Sequence, residues 1–230
     1  MKRNLIPSTP LQARALDKLP IGSRGLLHVI AVGVADVMNT KDMPTTYEFP
    51  LYEGHRPNAD ATGVAILRAA GAPIMGKTAI TEFAVPNFGP WSTNPRNPRN
   101  PRNPKHTPGG ASCGSAAAVA DLHVPISLGC QNSGSLIRPA SFTDLFALKQ
   151  TNNALSTDGV RICFTTLDTV GFLARSIDDL QLLADVCKIP SWTIPQTSSR
   201  KISRCISTGA RCGIRRDWSQ QMLCRKPSHF

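Results

Sequence analysis

Between residues 60 and 76 the chain spells out one helix, a hard stop and a strand, and this unit limits the fold more than any other feature. Asp60 is the expected N-cap, Val64, Ile66, Leu67 and Ala70 supply the apolar positions, and Gly71 followed by Pro73 ends the helix before the apolar stretch at Ile74, Met75 and Gly76. The order then recurs. A run of small residues over 115–120 reads as a helix leading into a strand over 124–128, and Ser176 with Asp179 resembles a capping box at the start of Ile177, Leu180, Leu183 and Ala184. Helices alternating with short apolar strands predict a layered α/β core, because each strand needs a helix to cover its face. With 230 residues, 41% of them hydrophobic, the chain carries enough apolar surface for one sizeable domain.

Two segments stand outside this alternation. The triplet Arg-Asn-Pro repeats over 94–104, where the proline spacing excludes helix and ladder pairing and predicts a lengthened surface loop. From Lys188 onward nine basic residues face one acid, Asp217, so this stretch holds +8 of the chain's +11. It is rich in Ser, Thr, Arg and Cys and lacks apolar periodicity, which predicts a basic, poorly ordered tail over 188–230 rather than a second domain. Such a tail would attract nucleic acid only nonspecifically, since Trp192, Trp218 and Phe230 are its only large aromatics. The longest apolar run, 26–37, is too short to span a bilayer, and the N-terminus has no secretory pattern, so a cytoplasmic location is expected. The seven cysteines are odd in number and widely spaced, and no histidine lies at ligand spacing from another histidine or a cysteine. Free thiols, no metal and no cofactor are expected.

The chemistry-bearing residues cluster between 109 and 135. Gly109-Gly-Ala-Ser-Cys-Gly-Ser115 and Gln131-Asn-Ser-Gly-Ser135 are both small and glycine-rich. Neither has the lysine of a phosphate loop or the spacing of a dinucleotide fold. A serine in such a turn can act as a nucleophile beside backbone N–H donors, but it needs a base, and pattern alone reveals none.

The stretch PGGASCGSAAAVADLHVPISLGCQNSGSLIRPASF over 108–142 resembles the signature of the amidase signature family, serine hydrolases with a form close to GGSSSGSAAAVA followed by a GGS turn. VGVADVMNTKDMPT at 32–45, YEGHRPNADATGVAILRAAGAPIMGKTAITEFA at 52–84 and LDTVGFLARSIDDLQLLADV at 167–186 match in family order. The resemblance implies a mixed sheet covered by helices over 19–187, left incomplete by C-terminal truncation, with 1–18 as an N-terminal segment. It implies amide-bond hydrolysis through an acyl-enzyme, with a lysine acting through a cis-serine on the nucleophile. Carried over by motif, the nucleophile position is Ser135, with Asn132, Ser133 and Gly134 as the oxyanion and substrate-binding turn. The cis-serine position is Ala111 and the lysine position is Ala35. Ser112 is the candidate relay.

Two triad positions thus carry methyl groups, which neither accept nor pass a proton, and impaired catalysis is expected. Further departures replace family glycines by Val29, Asp144 and Ala147, and family prolines by Ala31 and Gln150. Three readings stay open: an active hydrolase of a small-molecule amide; a truncated, inactive relative that serves as a binding or scaffold protein or is a degenerate gene product; and a basic nucleic-acid-binding protein. Exposed sheet edges would favour self-association.

Overall fold

In a computed structural model of the chain, residues 8–85, 98–189 and 222–223 are described. The strands are β1 (Val32–Ala35), β2 (Ile74–Thr78), β3 (Ile126–Gln131), β4 (Phe146–Lys149), β5 (Thr169–Ala174) and β6 (Met222–Leu223), and the helices are α1 (Ser8–Asp17), α2 (Thr62–Ala69), α3 (Cys113–Ala120), α4 (Ile137–Phe142) and α5 (Ile177–Val186). One sheet runs in the order β2-β1-β3-β5-β4-β6. The strands β2, β1 and β3 are parallel, while β5 is antiparallel to β3 and to β4, so the sheet is mixed. Of the basic tail, Lys188, Ile189 and β6 are described, and β6 pairs with Leu148 and Lys149.

Strand alternation divides the core into two layers. Val32 and Val34 of β1, Ile126 and Leu128 of β3, and Val170 and Phe172 of β5 face Val64 and Leu67 of α2 and Leu180 and Leu183 of α5. Leu173 faces the opposite cluster, with Ala116 and Val119 of α3 and Ala140 of α4. On that second face the strands present Gly33, Ser127, Gly129 and Gly171. These small residues explain why α3 is buried along its whole length: it lies between the sheet and its neighbours, and at Gly114 an added Cβ would come within 2.4 Å of the Ala79 backbone nitrogen.

Local signals work where tertiary partners do not compete. Helix α2 ends as expected, with Gly71 at φ +91° and two closing bonds, Gly71 N–H to Arg68 O and Ala72 N–H to Leu67 O. Ser176 Oγ accepts from Asp179 N–H at the start of α5. Asp60, by contrast, is not the N-cap. Ala61 occupies that position without a side-chain bond, and the Asp60 carboxylate instead accepts from Lys41 N–H (2.9 Å) and pairs with Arg68 (3.2 Å). Strand β3 begins two residues later than the sequence suggests and runs on to Gln131. The N-terminal segment contains α1, tied to the body by Gln12 Nε2 donating to Asp42. The last part of the proline repeat forms neither helix nor strand, and it is anchored: Asn100 is buried and donates to Phe142 O (2.8 Å), and Arg102 donates to Thr143 O.

Two of the residues that replace family glycines sit in the left-handed region, Val29 at φ +57° and Asp144 at φ +61°. Aspartate tolerates that conformation and here also pairs with Arg102 at 3.6 Å, whereas a β-branched valine does not. Val29 is 46% exposed, so little packing compensates. Val29→Gly is expected to raise unfolding free energy by about 1 kcal/mol, the left-handed penalty less glycine's own entropy cost, while Asp144→Gly gains nothing. Urea unfolding midpoints check this; equal shifts for the two variants would refute the backbone argument.

Candidate active site

The chain leaves β1 towards β2 and leaves β3 towards β5, so the carboxyl ends of β1 and β3 part and open a crevice, where α/β sheets bind ligands. Ala35 closes β1, Gln131 closes β3, and 132–135 follow it directly. Both lie at that end.

Leu136 holds the turn carrying Ser135 in place. Its fully buried side chain lies over Gly129 and Gly171, which face each other across β3 and β5; a Cβ at either would come within 2.5 Å of a Leu136 methyl carbon. Gln131 supplies the second anchor, its Oε1 accepting from Leu136 N–H and Ile137 N–H, each at 2.9 Å. Asn132 Oδ1 accepts from Ser133 N–H at 2.6 Å, which engages one donor of the turn with its own neighbour. Ser135 O accepts from Ser112 N–H at 3.0 Å, bringing the two glycine-rich segments together.

Ser135 is 2% exposed, and its Oγ has no hydrogen-bond partner among the described residues. Ser135 is one of the residues around a small pocket, with Cys130, Gln131, Asn132, Arg161 and Asp168. Ala111 is 1% exposed, and the Gly110–Ala111 peptide bond is cis, at the place the resemblance assigns to the cis-serine. Ala35 is fully buried. The Ser112 hydroxyl donates to Cys130 O and accepts from Cys130 N–H, both at 3.2 Å, so it is bound to the β3 backbone. Lys77 is committed elsewhere: its ammonium donates to Met38 O and to Thr45 Oγ1 (2.9 Å) and lies 3.6 Å from the Asp36 carboxylate.

Sequence reasoning missed Arg161, Cys163 and Asp168. The Val160–Met38 bridge and the Arg161 N–H bond to Val37 O bring this loop to the end of β1. Asp168 then shapes it, accepting from Cys163 N–H (2.5 Å) and Phe164 N–H (2.9 Å). Only the LDT of the flanking motif pointed to Asp168; nothing in the spacing pointed to Arg161 or Cys163. Burial pushes the Cys130 thiol up to about 12, so it stays protonated and is no substitute nucleophile. Among the described residues no group of three His, Cys, Asp or Glu could hold a metal ion, and no helix is long and apolar enough to cross a membrane.

A serine turn thus lies at the carboxyl end of a strand of the mixed sheet, backed by the glycine-rich start of α3. The model of the Amidase family matches residues 5–208, and the chain belongs to that family. That match runs past both ends of 19–187. The chain is 38% identical over 187 residues to a glutamyl-tRNA(Gln) amidotransferase subunit from Mycobacterium tuberculosis (strain ATCC 25177 / H37Ra), covering 76% of this chain and 36% of that protein. Among solved structures it is similar to the native peptide amidase of Stenotrophomonas maltophilia (TM-score 0.73, 31% identity, 86% of this chain and 42% of that one). It is also similar to an amidase family protein from Bacillus anthracis str. Ames (TM-score 0.74, 30% identity, 79% and 38%). The chain therefore spans little more than a third of the length of the M. tuberculosis relative.

Proposed function

We propose that this chain is an amide-recognising member of the amidase family in which the nucleophile's pocket persists while the proton-transfer groups are gone. The observation that carries this reading is the Ser135 hydroxyl, buried and without a partner among the described residues, on a residue that lines the pocket. A buried hydroxyl left unpaired costs free energy that a bound carboxamide would recover by accepting or donating a hydrogen bond there. With methyl groups at Ala35 and Ala111, nothing takes the proton as Ser135 attacks a carbonyl carbon, so the acyl-enzyme step lacks general-base assistance. The turn keeps Gly134 and Ser135 N–H as candidate oxyanion donors, while Ser133 N–H is engaged by Asn132. Ser112, held by both backbone atoms of Cys130, is a poor relay. The M. tuberculosis relative bears the name of a subunit, and β2 lies at one end of the sheet, so association with itself or a partner belongs to the same reading; sedimentation of the purified chain tests it.

Labelling by a fluorophosphonate probe tests the chemistry. The unaltered chain is expected to label at background, and Ala35→Lys with Ala111→Ser to raise the rate by about 10²–10⁴, the usual contribution of general-base assistance. Adding Ser135→Ala should abolish the gain. Rapid labelling of the unaltered chain that vanishes in Ser135→Ala would overturn the reading in favour of turnover with a different base. No labelling after restoration would overturn the intact pocket.

A further inference from the structure

Among the described residues that line the pocket, Arg161 is the one cation, and it forms no ion pair with Asp168, the one acid there. Arg161 is exposed, its guanidinium lies 4.1 Å from the Phe83 ring centroid and 5.6 Å from that of Tyr47, and its side chain makes no hydrogen bond or ion pair among the described residues. The two rings fix where the guanidinium sits. They belong to a cluster in which Phe83 also contacts Phe49 (4.8 Å) and Tyr52 (6.1 Å), and Tyr47 meets Tyr52 edge-on at 5.1 Å. At its base Arg161 is held by its own N–H to Val37 O and by the adjoining bridge between Val160 and Met38. Stacking on an aromatic face leaves the in-plane N–H donors of a guanidinium available, and those donors match a carboxylate in geometry and charge. The acid that shares the pocket, Asp168, has one oxygen already occupied by the N–H groups of Cys163 and Phe164, and it forms no ion pair with Arg161.

We infer that Arg161 makes the Ser135 pocket selective for ligands that carry a carboxylate in addition to the carboxamide, the carboxylate paired with the guanidinium and the carboxamide against the Ser135 hydroxyl. The inference deepens the proposed amide recognition and rests on it for the carboxamide end alone. It joins two independent features among the described residues: a cation pre-positioned by two rings and without an ion pair, and a nine-tenths-buried hydroxyl without a hydrogen-bond partner, on residues that line one pocket.

Saturation-transfer NMR titrations of the full chain at low ionic strength test it, with succinamate and glutaramate as anionic amides, succinamide and glutaramide as their neutral counterparts, and succinate as the anion without an amide. At least one anionic amide is expected to bind about tenfold more tightly than its neutral counterpart, about 1.4 kcal/mol, with the ratio falling as salt is added. Arg161→Gln should bring the ratio to about one and Arg161→Lys should keep part of it, since lysine retains the charge but not the fork. Thermal melts confirm that each variant is folded. Neutral amides that bind in a Ser135-dependent manner with no anionic preference would overturn the Arg161 inference and leave amide recognition standing. Succinate binding as well as the anionic amides, and losing affinity in Arg161→Gln, would uphold Arg161 and overturn amide recognition. An anionic preference that survives Arg161→Gln would overturn the assignment, and binding of none of the five would overturn both.

Discussion

Lys77→Met is expected to lower the unfolding free energy by about 3–5 kcal/mol, the range for removing one member of a buried ion pair. Lys77 is 7% exposed and Asp36 fully buried, 3.6 Å apart, and the lysine also bonds Met38 O and Thr45 Oγ1. Asp36 in turn accepts from Thr46 Oγ1 at 2.5 Å and from Thr46 N–H at 3.3 Å. The ammonium thus fastens the segment after β1 onto β2. Because domains of this size are stable by only about 5–15 kcal/mol in total, the variant should unfold at a clearly lower urea concentration. Lys77→Met with Asp36→Asn should cost less than the sum of the single changes, because the second removes the charge that the first strands. An additive pair would mean the two groups do not interact.

The second large effect concerns the seat of the serine turn. Gly171→Ala places a Cβ 2.3 Å from a Leu136 methyl carbon and 2.5 Å from Leu148 O, and Gly129→Ala places one 2.5 Å from Leu136 and 2.9 Å from Ser112 Oγ. Each is expected to cost about 1–3 kcal/mol, as overpacking does, and to lift Ser135 out of position. The obstacles differ in kind: at Gly129 they are side chains, at Gly171 also the backbone of the neighbouring strand. Adding Leu136→Ala should therefore recover part of the loss from Gly129→Ala and little from Gly171→Ala. Urea unfolding of the four variants decides it, and equal recovery at both positions would contradict the described packing.

How much of this was readable from residues alone depended on how local the cause was. The end of α2 was readable because Gly71 and Pro73 act through the backbone of their own turn, and so was the Ser176 cap. Asp60 misled because two tertiary groups, Lys41 N–H and Arg68, outcompete a helix terminus for its carboxylate. The apolar Val124 predicts an early start for β3, whereas the ladder begins only after Pro125. The resemblance supplied the segment of the serine turn, but the glycine seat beneath Leu136 depends on the register of β3 against β5, which no window along the chain contains. Arg161 was invisible for the same reason: its place beside Ser135 is set by a bridge to Met38, more than a hundred residues earlier. Gln150, at a family proline position, buries an amide whose nitrogen and oxygen have no partner among the described residues, a cost that a substitution list cannot reveal.

The sheet order has a consequence for synthesis on the ribosome. Strand β3 sits between β1, which precedes it by more than ninety residues, and β5, which follows it by about forty; Ser127 Oγ donates to Gly33 O across 94 positions of sequence. Strands β1 and β2 emerge first, but the apolar positions of β1 stay exposed until β3 arrives, and both faces close only once β5 and α5 have left the exit tunnel. Assembly from such distant pieces is slow compared with local hairpins, and through most of translation the nascent chain carries uncovered Val32, Val34 and Ile74. On this topology the yield of folded protein is expected to depend on the speed at which residues 126–186 are made and on whether the uncovered apolar positions are shielded meanwhile.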